Sequence, residues 1–364
     1  MPNNERLISL DAFRGFTIAA MILVNNPGDW NNVFAPLLHK DWHGITVTDL
    51  IFPFFLFIVG VSIALAYTKR VEAGAPKGDM YQKIVFRSLK IFAVGLLLNL
   101  FPMFNFGELR VAGVLQRIAI VFLFSAFFFL NFKWKRQAII GGAILVLYWL
   151  AMVLIPTPGY GKAMLEPGIN LAAYLDSFLL PGKMWQGTWD PEGLLSTIPA
   201  IATGISGLLA GTLLVSRKPQ EEKIIWLFVA GFIALSIGHA WSWFFPINKN
   251  IWTSSFVMVT SGLALLTLAT VIYLVDVRGF RKIAHPGVVF GSNAITIYVL
   301  ADVFSFFTGG IKLFGASMKQ HLLDLFYVLG ATPKFSSLLY AILLILLLYI
   351  PAWWLHRKKI FIKL

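Results

Sequence analysis

The sequence predicts an all-α protein, a polytopic membrane helical bundle of about ten transmembrane helices. Three observations lead to this fold class: 58% of the 364 residues are hydrophobic, only 13% are charged, and the mean hydropathy is +0.77. A soluble domain carries about 25% charged residues. The apolar residues form long runs and do not alternate, which argues against a β-barrel. The composition also excludes a soluble enzyme, a disordered chain and a coiled coil.

Ten apolar runs of about 20 residues, the length that crosses a bilayer, mark the predicted spans. They lie at 8–25, 46–68, 88–106, 113–132, 137–155, 194–215, 224–244, 253–275, 286–307 and 336–355. The first run contains Asp11 and Arg14 and has no small-residue cleavage site after it, so we interpret it as a retained helix. The chain is expected to form a single domain over 1–364. Its longest external segment, 156–193, is rich in Pro, Gly and Trp and is expected to cover the outer mouth of the bundle.

The distribution of charge predicts that both termini face the cytoplasm. Twenty of the 30 lysine and arginine residues fall in alternate connections and at the ends, in residues 6, 69–90, 133–136, 217–223, 278–282 and 357–363. Basic segments stay on the cytoplasmic side, and an even number of spans places both ends there. The net charge of +13 therefore reflects topology and attraction to anionic lipid, and not a nucleic-acid surface. The chain has no cysteine, which excludes disulfides and thiolate chemistry.

The densest group of candidate catalytic residues surrounds the first two spans. His39 lies in the outer loop H-K-D-W-H-G-I-T-V-T-D, Asp49 begins the second span, and Asn25 ends the first. A histidine can act as a general base, a carboxylate can orient its ring, and an asparagine can donate to a developing oxyanion. His39 and His43 also have a spacing that can bind zinc on a helix, but no third ligand follows, and no metal site is predicted.

Polar residues inside apolar spans are candidates for ligand contact, and each has a structural alternative. Arg14 either forms an ion pair with Asp11, three residues away, or holds a phosphate. Arg117 either lines a pocket or pairs with Asp302. Asn293 either faces a binding cavity or forms an interhelical hydrogen bond.

Six sequence blocks, in this order, resemble the heparan-α-glucosaminide N-acetyltransferase family. The blocks are R-L-I-S-L-D-A-F-R-G-F-T-I-A-A-M-I-L-V-N, H-x-x-W-x-G-x-T-x-x-D-L-I-F-P-F-F-L-F-I-V-G-V-S, R-V-A-G-V-L-Q-R-I, D-P-E-G-L-L-S-T-I-P-A, N-K-N-I-W-T-S-S and F-G-S-N-A-I-T-I-Y-V. The resemblance implies a multi-spanning acyltransferase that passes acetyl from cytosolic acetyl-CoA to the amine of a terminal glucosamine across the membrane. It places the family's active-site residues on His39, Asn25 and Asp49.

The resemblance also implies sites for the two substrates. The expected contacts to acetyl-CoA are Arg14, Arg87, Lys90, Arg117 and Asn293. Arg87 and Lys90 either contact its phosphates or only supply positive-inside charge. The expected contacts to the acceptor sugar are Trp185, Trp189, Asn248 and Trp252 on the outer side, although tryptophan also gathers at membrane interfaces for general reasons.

The sequence departs from the animal lysosomal members of the family and leaves other functions open. It lacks their extra amino-terminal luminal region and has no cysteine, so we expect a bacterial inner-membrane protein, with a homodimer implied by resemblance alone. One alternative function is a transporter of a sugar or acyl compound. Another is an acyltransferase that modifies a different glycan or lipid acceptor.

Overall fold

The structure, a computed structural model, describes residues 7–362, and this part of the chain is mostly helical. Arg6 and Lys363, which contribute to the predicted cytoplasmic charge, lie outside the described residues. The described residues form thirteen α-helices and one hairpin of two short strands. The helices are α1 (Ile8–Asn25), α2 (Ile51–Glu72), α3 (Lys77–Leu100), α4 (Val114–Asn131), α5 (Trp134–Leu154), α6 (Leu171–Leu179), α7 (Leu194–Val215), α8 (Gln220–Trp241), α9 (Ser254–Ile272), α10 (Arg281–Ser292), α11 (Ala294–Gly310), α12 (Met318–Val328) and α13 (Pro333–Arg357). The antiparallel strands are β1 (Lys312–Leu313) and β2 (Ala316–Ser317).

The all-α polytopic fold class is confirmed. In the described part of the chain eight helices are long and apolar enough to cross a membrane, namely α1, α2, α4, α5, α7, α8, α9 and α13. Helices α10 and α11 would form a ninth span if counted together, but they meet at a bend of 76°. The predicted span 88–106 overlaps α3, which begins at Lys77 and ends at Leu100. Cations lie in the first half of this helix, at Lys83, Arg87 and Lys90.

Contacts divide the chain into two compact units. The first comprises Met1–Lys40, Thr46–Phe55 and Thr270–Leu364, and the second comprises Asp41–Ile45 and Leu56–Ala269. The first unit therefore holds α1 and α10–α13, and the second holds α3–α8 with most of α2 and α9.

In the first unit, α1 and α10 pack backbone against backbone. A Cβ on Gly15 would lie 1.7 Å from the carbonyl oxygen of Gly287, and a Cβ on Gly291 would lie 2.0 Å from the carbonyl oxygen of Asp11. In a membrane, helix pairs gain stability from such close van der Waals contact, which only small residues allow. This helix pair therefore depends on glycine at the crossing.

The break between α10 and α11 occurs at Asn293, and its side chain holds the segment that follows α13. The Asn293 Nδ2 donates to the Ile360 carbonyl at 3.0 Å, and its Oδ1 accepts from the Ile362 N–H at 2.8 Å. The predicted span 286–307 is therefore interrupted. In this structure the Asn293 amide is hydrogen-bonded to the backbone of this segment, and its expected contact with acetyl-CoA stays a prediction.

In the second unit, α7 lies at the centre and contacts α4, α5, α6 and α8. Its contact with α2 is again set by glycine, since a Cβ on Gly60 would lie 2.0 Å from the Gly204 carbonyl oxygen. Outside the spans, the short helix α6 begins at Asn170, whose side chain accepts from the Ala173 N–H and caps it. Helix α6 lies within the external segment 156–193, which is thus partly structured.

We expect Gly15→Ala to lower the melting temperature of the protein in detergent micelles. The added methyl group must push α1 away from α10, at a cost of about 1–3 kcal/mol. Tryptophan fluorescence during heating measures the effect. Gly142→Ala in α5 is the matched control, because no atom lies within 4 Å of a Cβ there and alanine favours a helix. Equal losses in the two variants would contradict the packing argument.

Candidate active site

The loop that follows α1 is anchored on α13 before it reaches His39. The Gly28 N–H donates to the Ser337 carbonyl at 3.2 Å, and the Asp29 N–H donates to the Ser337 hydroxyl at 3.0 Å. A Cβ on Gly28 would lie 3.0 Å from the Ser337 Cα, so the turn touches the α13 backbone. This anchor fixes where the loop leaves the helix pair.

His39 and Asp49 form a hydrogen-bonded pair in this loop. The His39 Nδ1 lies 2.8 Å from Asp49 Oδ1, and the Asp49 side chain is fully buried while that of His39 is 43% exposed. Because the carboxylate accepts this bond, the proton is assigned to Nδ1, and Nε2 is the ring atom that can take up a proton. The pair has the arrangement of a general base with an orienting carboxylate.

The second oxygen of Asp49 closes the loop around the histidine. Asp49 Oδ2 accepts from the Lys40 N–H at 3.1 Å and from the Thr46 N–H at 3.0 Å, and the Thr46 hydroxyl lies 3.0 Å away. A buried carboxylate needs such donors to offset its desolvation. The role of Thr46 was not predicted, although the T-x-x-D spacing places its hydroxyl three residues before the carboxylate.

The two adjacent asparagines at the end of α1 differ in exposure and in partners. Asn26 is buried, and its Nδ2 donates to the Ile22 carbonyl at 2.9 Å. Asn25 is exposed, and no residue among those described accepts from its amide. Asn26 therefore stabilises the helix end, and Asn25 is the asparagine that is available to a ligand.

A cleft opens in the first unit between the end of α1 and the start of α13. It encloses about 260 Å³, including space open to solvent, and its walls include Val24, Pro27, Phe34 and Lys334. Lys334 is exposed, and nothing in the described part of the chain pairs with its ammonium. Lys334 was not predicted as a site residue, because its position beside the end of α1 depends on tertiary packing.

In the second unit, the segment Asp41–Ile45 packs against the external segment 156–193. The Trp42 indole donates to the Leu165 carbonyl at 2.9 Å. Its ring meets the ring of Trp189 edge-on, with centroids 5.1 Å apart. Trp42 is thus the contact between the H-x-x-W-x-G motif and the external segment.

His43 is held differently from His39. Its Nδ1 lies 3.3 Å from the Asn248 Nδ2, and the neighbouring Gly44 N–H donates to the Ile247 carbonyl at 2.7 Å. Burial lowers the pKa of His43 below its ordinary value, and the charge of Glu166 offsets part of this effect. A neutral His43 that accepts from the Asn248 amide fits this environment.

An ion cluster joins the connection before α4 to the external segment. Arg110 donates to both oxygens of Asp190, at 2.7 and 2.6 Å, and also to Glu192 at 2.5 Å. Burial disfavours the charge on Arg110, but the two carboxylates outweigh it and raise the pKa of the guanidinium. Burial likewise opposes ionisation of Asp190, and Arg110 outweighs it and lowers the pKa of that carboxyl. Arg110 and Asp190 are therefore both charged at neutral pH.

Asp176 of α6 caps the first turn of α7. Its Oδ1 accepts from the Leu194 N–H at 2.8 Å, and a Cβ on Gly193 would collide with its carboxylate. Burial raises the pKa of Asp176 to about 6, while the Leu194 N–H and the Arg117 charge act in the opposite direction. Asp176 therefore ties the external segment to α7 with a carboxyl group that titrates near pH 6.

Arg117 is 1% exposed and binds hydroxyl groups of α7. Its Nη2 donates to Ser196 at 2.5 Å, its Nε donates to Thr197 at 3.2 Å, and its guanidinium lies 4.9 Å from the ring of Trp252. The alternative of a pair with Asp302 is thus corrected. Among the described residues, Nη1 of Arg117 has no hydrogen-bond acceptor.

Two of the four predicted sugar contacts are buried in this structure, and their role stays a prediction. Trp252 is enclosed, and its Nε1 donates to the Thr203 hydroxyl at 3.2 Å. Asn248 is also fully buried, and its Oδ1 accepts from the Ile251 N–H at 3.1 Å. Neither side chain has a surface that a sugar can reach in this structure.

The other two predicted sugar contacts lie at the surface of the external segment. Trp185 is 66% exposed, and its ring lies 5.1 Å from the guanidinium carbon of Arg110. Trp189 is half-buried against Trp42. Trp185 therefore presents the larger free aromatic surface.

The cations predicted to contact acetyl-CoA differ in how they are engaged. Arg14 lies 3.3 Å from the Asp11 carboxylate, which is the ion pair considered as its alternative. Arg87 and Lys90 are exposed on α3 and lie over phenylalanine rings, at 4.9 and 4.6 Å. As whole residues Arg87 and Lys90 are exposed, whereas the Arg14 side chain is 23% exposed.

The fold and the loop define a class of protein before any comparison. Within residues 7–362, no three His, Asp or Glu side chains are placed to hold a metal ion. The chain is a multi-spanning membrane protein whose loop between the first two apolar helices holds a histidine on a buried carboxylate. That pair can accept and return a proton.

Comparison with known proteins identifies the family. The family described as heparan-alpha-glucosaminide N-acetyltransferase, catalytic, matches residues 6–176, which include Asn25, His39 and Asp49. The chain is 30% identical to the heparan-alpha-glucosaminide N-acetyltransferase of Homo sapiens, over 99% of this chain and 60% of that protein. It is also 30% identical to the protein of that name from Mus musculus, over 99% of this chain and 61% of the relative. The chain belongs to the heparan-alpha-glucosaminide N-acetyltransferase family and spans about 60% of the length of these curated relatives.

We expect stability to depend on the ionisation of Asp176. The carboxyl pKa is about 6 in the folded protein, against an ordinary value of 3.8, so the folded state binds the proton more tightly. This contribution to stability is full below the ordinary pKa and is lost as the pH rises through about 6. Asp176→Asn keeps an acceptor for the Leu194 N–H and removes the titration.

The measurement is the melting temperature at about pH 4.5 and about pH 7. The fall between the two should be smaller in Asp176→Asn than in the wild type. The same fall in both proteins would show that Asp176 does not titrate in this range.

Proposed function

We propose that this chain is a transmembrane N-acetyltransferase. It moves acetyl from cytosolic acetyl-CoA to the amine of a glucosamine-type sugar on the outer side of the membrane. The observation that carries the proposal is the hydrogen bond between His39 and the buried Asp49, in a chain of the N-acetyltransferase family. The positive-inside charge distribution supports the sidedness, and a bacterial inner membrane is the proposed location.

The pair supplies the proton transfers that amine acylation needs. The sugar amine attacks the thioester carbon, so that a C–N bond forms and the C–S bond breaks. His39 Nε2 takes the proton that the nitrogen loses and returns it to the departing sulfur, which leaves as the CoA thiol. Asp49 keeps the ring in the required tautomer and stabilises the imidazolium between the two transfers.

Asn25 is proposed as the donor to the oxyanion. Its amide is exposed at the end of α1 and has no acceptor among the described residues. A donor that is already oriented lowers the barrier most when charge develops on the carbonyl oxygen. Asn26 cannot take this role while its amide donates to the Ile22 carbonyl.

Four cations are candidates for contact with the acyl donor. Arg87 and Lys90 are exposed on α3 and can reach phosphate groups. Arg117 retains an N–H group without an acceptor in the described part of the chain, and a carbonyl oxygen of the donor would satisfy it. Arg14 is the weakest candidate, because the Asp11 carboxylate already lies beside it.

His39→Ala should abolish measurable transfer. General acid–base catalysis contributes about 10²–10⁴-fold, so the rate of forming labelled N-acetylglucosamine from labelled acetyl-CoA and glucosamine should fall by at least about 100-fold. Mass spectrometry of the product provides the measurement. The control is His239→Ala. Among the described residues, the ring of that exposed histidine bonds only its own helix backbone, with Nδ1 at 2.9 Å from the Leu235 oxygen. Retained transfer in His39→Ala would overturn the assignment.

Asn25→Ala and Asn26→Ala should separate catalysis from stability. Loss of an oxyanion donor lowers kcat by about 10²–10³-fold, so Asn25→Ala should lose activity at an unchanged melting temperature. Asn26→Ala removes a buried hydrogen bond and should cost about 1 kcal/mol of stability while kcat is largely kept. The reverse pattern would assign the donor to Asn26.

A further inference from the structure

The Trp185 ring is held in place by an ion cluster outside the catalytic pair. Its guanidinium neighbour, Arg110, is fixed by three hydrogen bonds to Asp190 and Glu192. The backbone of Trp185 is fixed by the same carboxylate, because its N–H donates to Asp190 Oδ2 at 3.0 Å. One face of the Trp185 ring and the Trp185 backbone therefore both contact the same ion cluster.

The strand-like segment before Trp185 is clamped as well. The Lys183 N–H donates to the Leu109 carbonyl at 3.0 Å. Gly182 has φ +84°, and a Cβ there would lie 2.1 Å from the Leu109 carbonyl oxygen, so only glycine allows this approach. These contacts limit the motion of the loop that carries the indole.

The rest of the ring is open. With one face against Arg110, an exposed fraction of 66% leaves the opposite face uncovered. A cation on the inner face adds to the fixed orientation of the ring. By contrast, Trp243 is 82% exposed, and no cation within residues 7–362 lies over its ring. Tryptophan that only marks a membrane interface needs no such support.

Polar groups at the edge of the ring suit hydroxyl groups of a ligand. Lys183 and Glu108 form an exposed ion pair at 3.5 Å, and Glu192 lies beside Arg110. An exposed pair contributes little stability, so its members can exchange partners. With Asp190 the group has three carboxylates against two cations, Lys183 and Arg110. This excess of negative charge disfavours a sulfated ligand and favours a neutral or aminated one.

We propose that Trp185, supported by Arg110, is a stacking site for the sugar ring next to the one that is acetylated. The C–H face of a pyranose packs on the electron-rich face of an indole. The site is exposed to water, which suits a neighbouring sugar and not the reacting amine. The inference rests on the proposed function only for its use in acetyl transfer, since sugar binding itself is measured separately.

The test compares glucosamine with the disaccharide glucosaminyl-β-1,4-glucosamine as acceptors for the full chain in lipid nanodiscs. Trp185→Ala should raise KM for the disaccharide by between about two- and tenfold, with KM for glucosamine and both kcat values unchanged. Trp185→Tyr, which keeps a stacking face, should restore most of the affinity. Trp243→Ala is the matched control and should change neither KM.

Calorimetric titration with the disaccharide, without acetyl-CoA, separates this inference from the proposed function. Weaker binding in Trp185→Ala supports the site even if no acetyl transfer is found. Equal disaccharide binding and equal KM in wild type and Trp185→Ala would overturn it, even if the protein acetylates glucosamine. An effect of Trp185→Ala on nanodisc stability alone would identify an interface tryptophan and would also overturn it.

Discussion

The buried carboxylate of Asp49 is the group on which the arrangement of the candidate site depends. A charge without water needs several donors, and Asp49 obtains them from the Lys40 and Thr46 backbone and from the His39 ring. The same bonds close the loop and set the tautomer of the histidine. The conformation of the loop and the tautomer of His39 are therefore coupled, because neither oxygen of Asp49 can lose its hydrogen-bond donors without a cost in free energy.

Elsewhere in the chain, a membrane environment favours close contact between helix backbones and requires hydrogen-bond partners for buried polar groups. Gly15 lets α1 approach α10, and Gly60 plays the same part between α2 and α7. A helix break exposes backbone and amide groups that lipid cannot satisfy. At Asn293 the chain resolves this by hydrogen bonds to the segment that follows α13.

The external segment concentrates its charge in one place. Arg110 donates to two carboxylates, and Asp176 closes the start of α7 with a separate hydrogen bond. The result is a loop region held by ionic contacts, with Trp185 as its exposed aromatic surface. Rigid loops that present one aromatic ring are suited to recognition, since little entropy is lost when a ligand binds.

The sequence by itself determined the all-α membrane class, because composition and the length of apolar runs are local properties. Its motifs also predicted that His39 and Asp49 act together. The two residues are ten positions apart in one loop, which allows the hydrogen bond between them. Tertiary structure alone decided that Asn25 is exposed while Asn26 is buried, and that Trp185 is open while Trp252 is enclosed. It also assigned Arg117 to hydroxyls of α7. The physical reason is that the burial of a side chain and its hydrogen-bond partners depend on which distant segments pack together. The local sequence around a residue does not determine that packing.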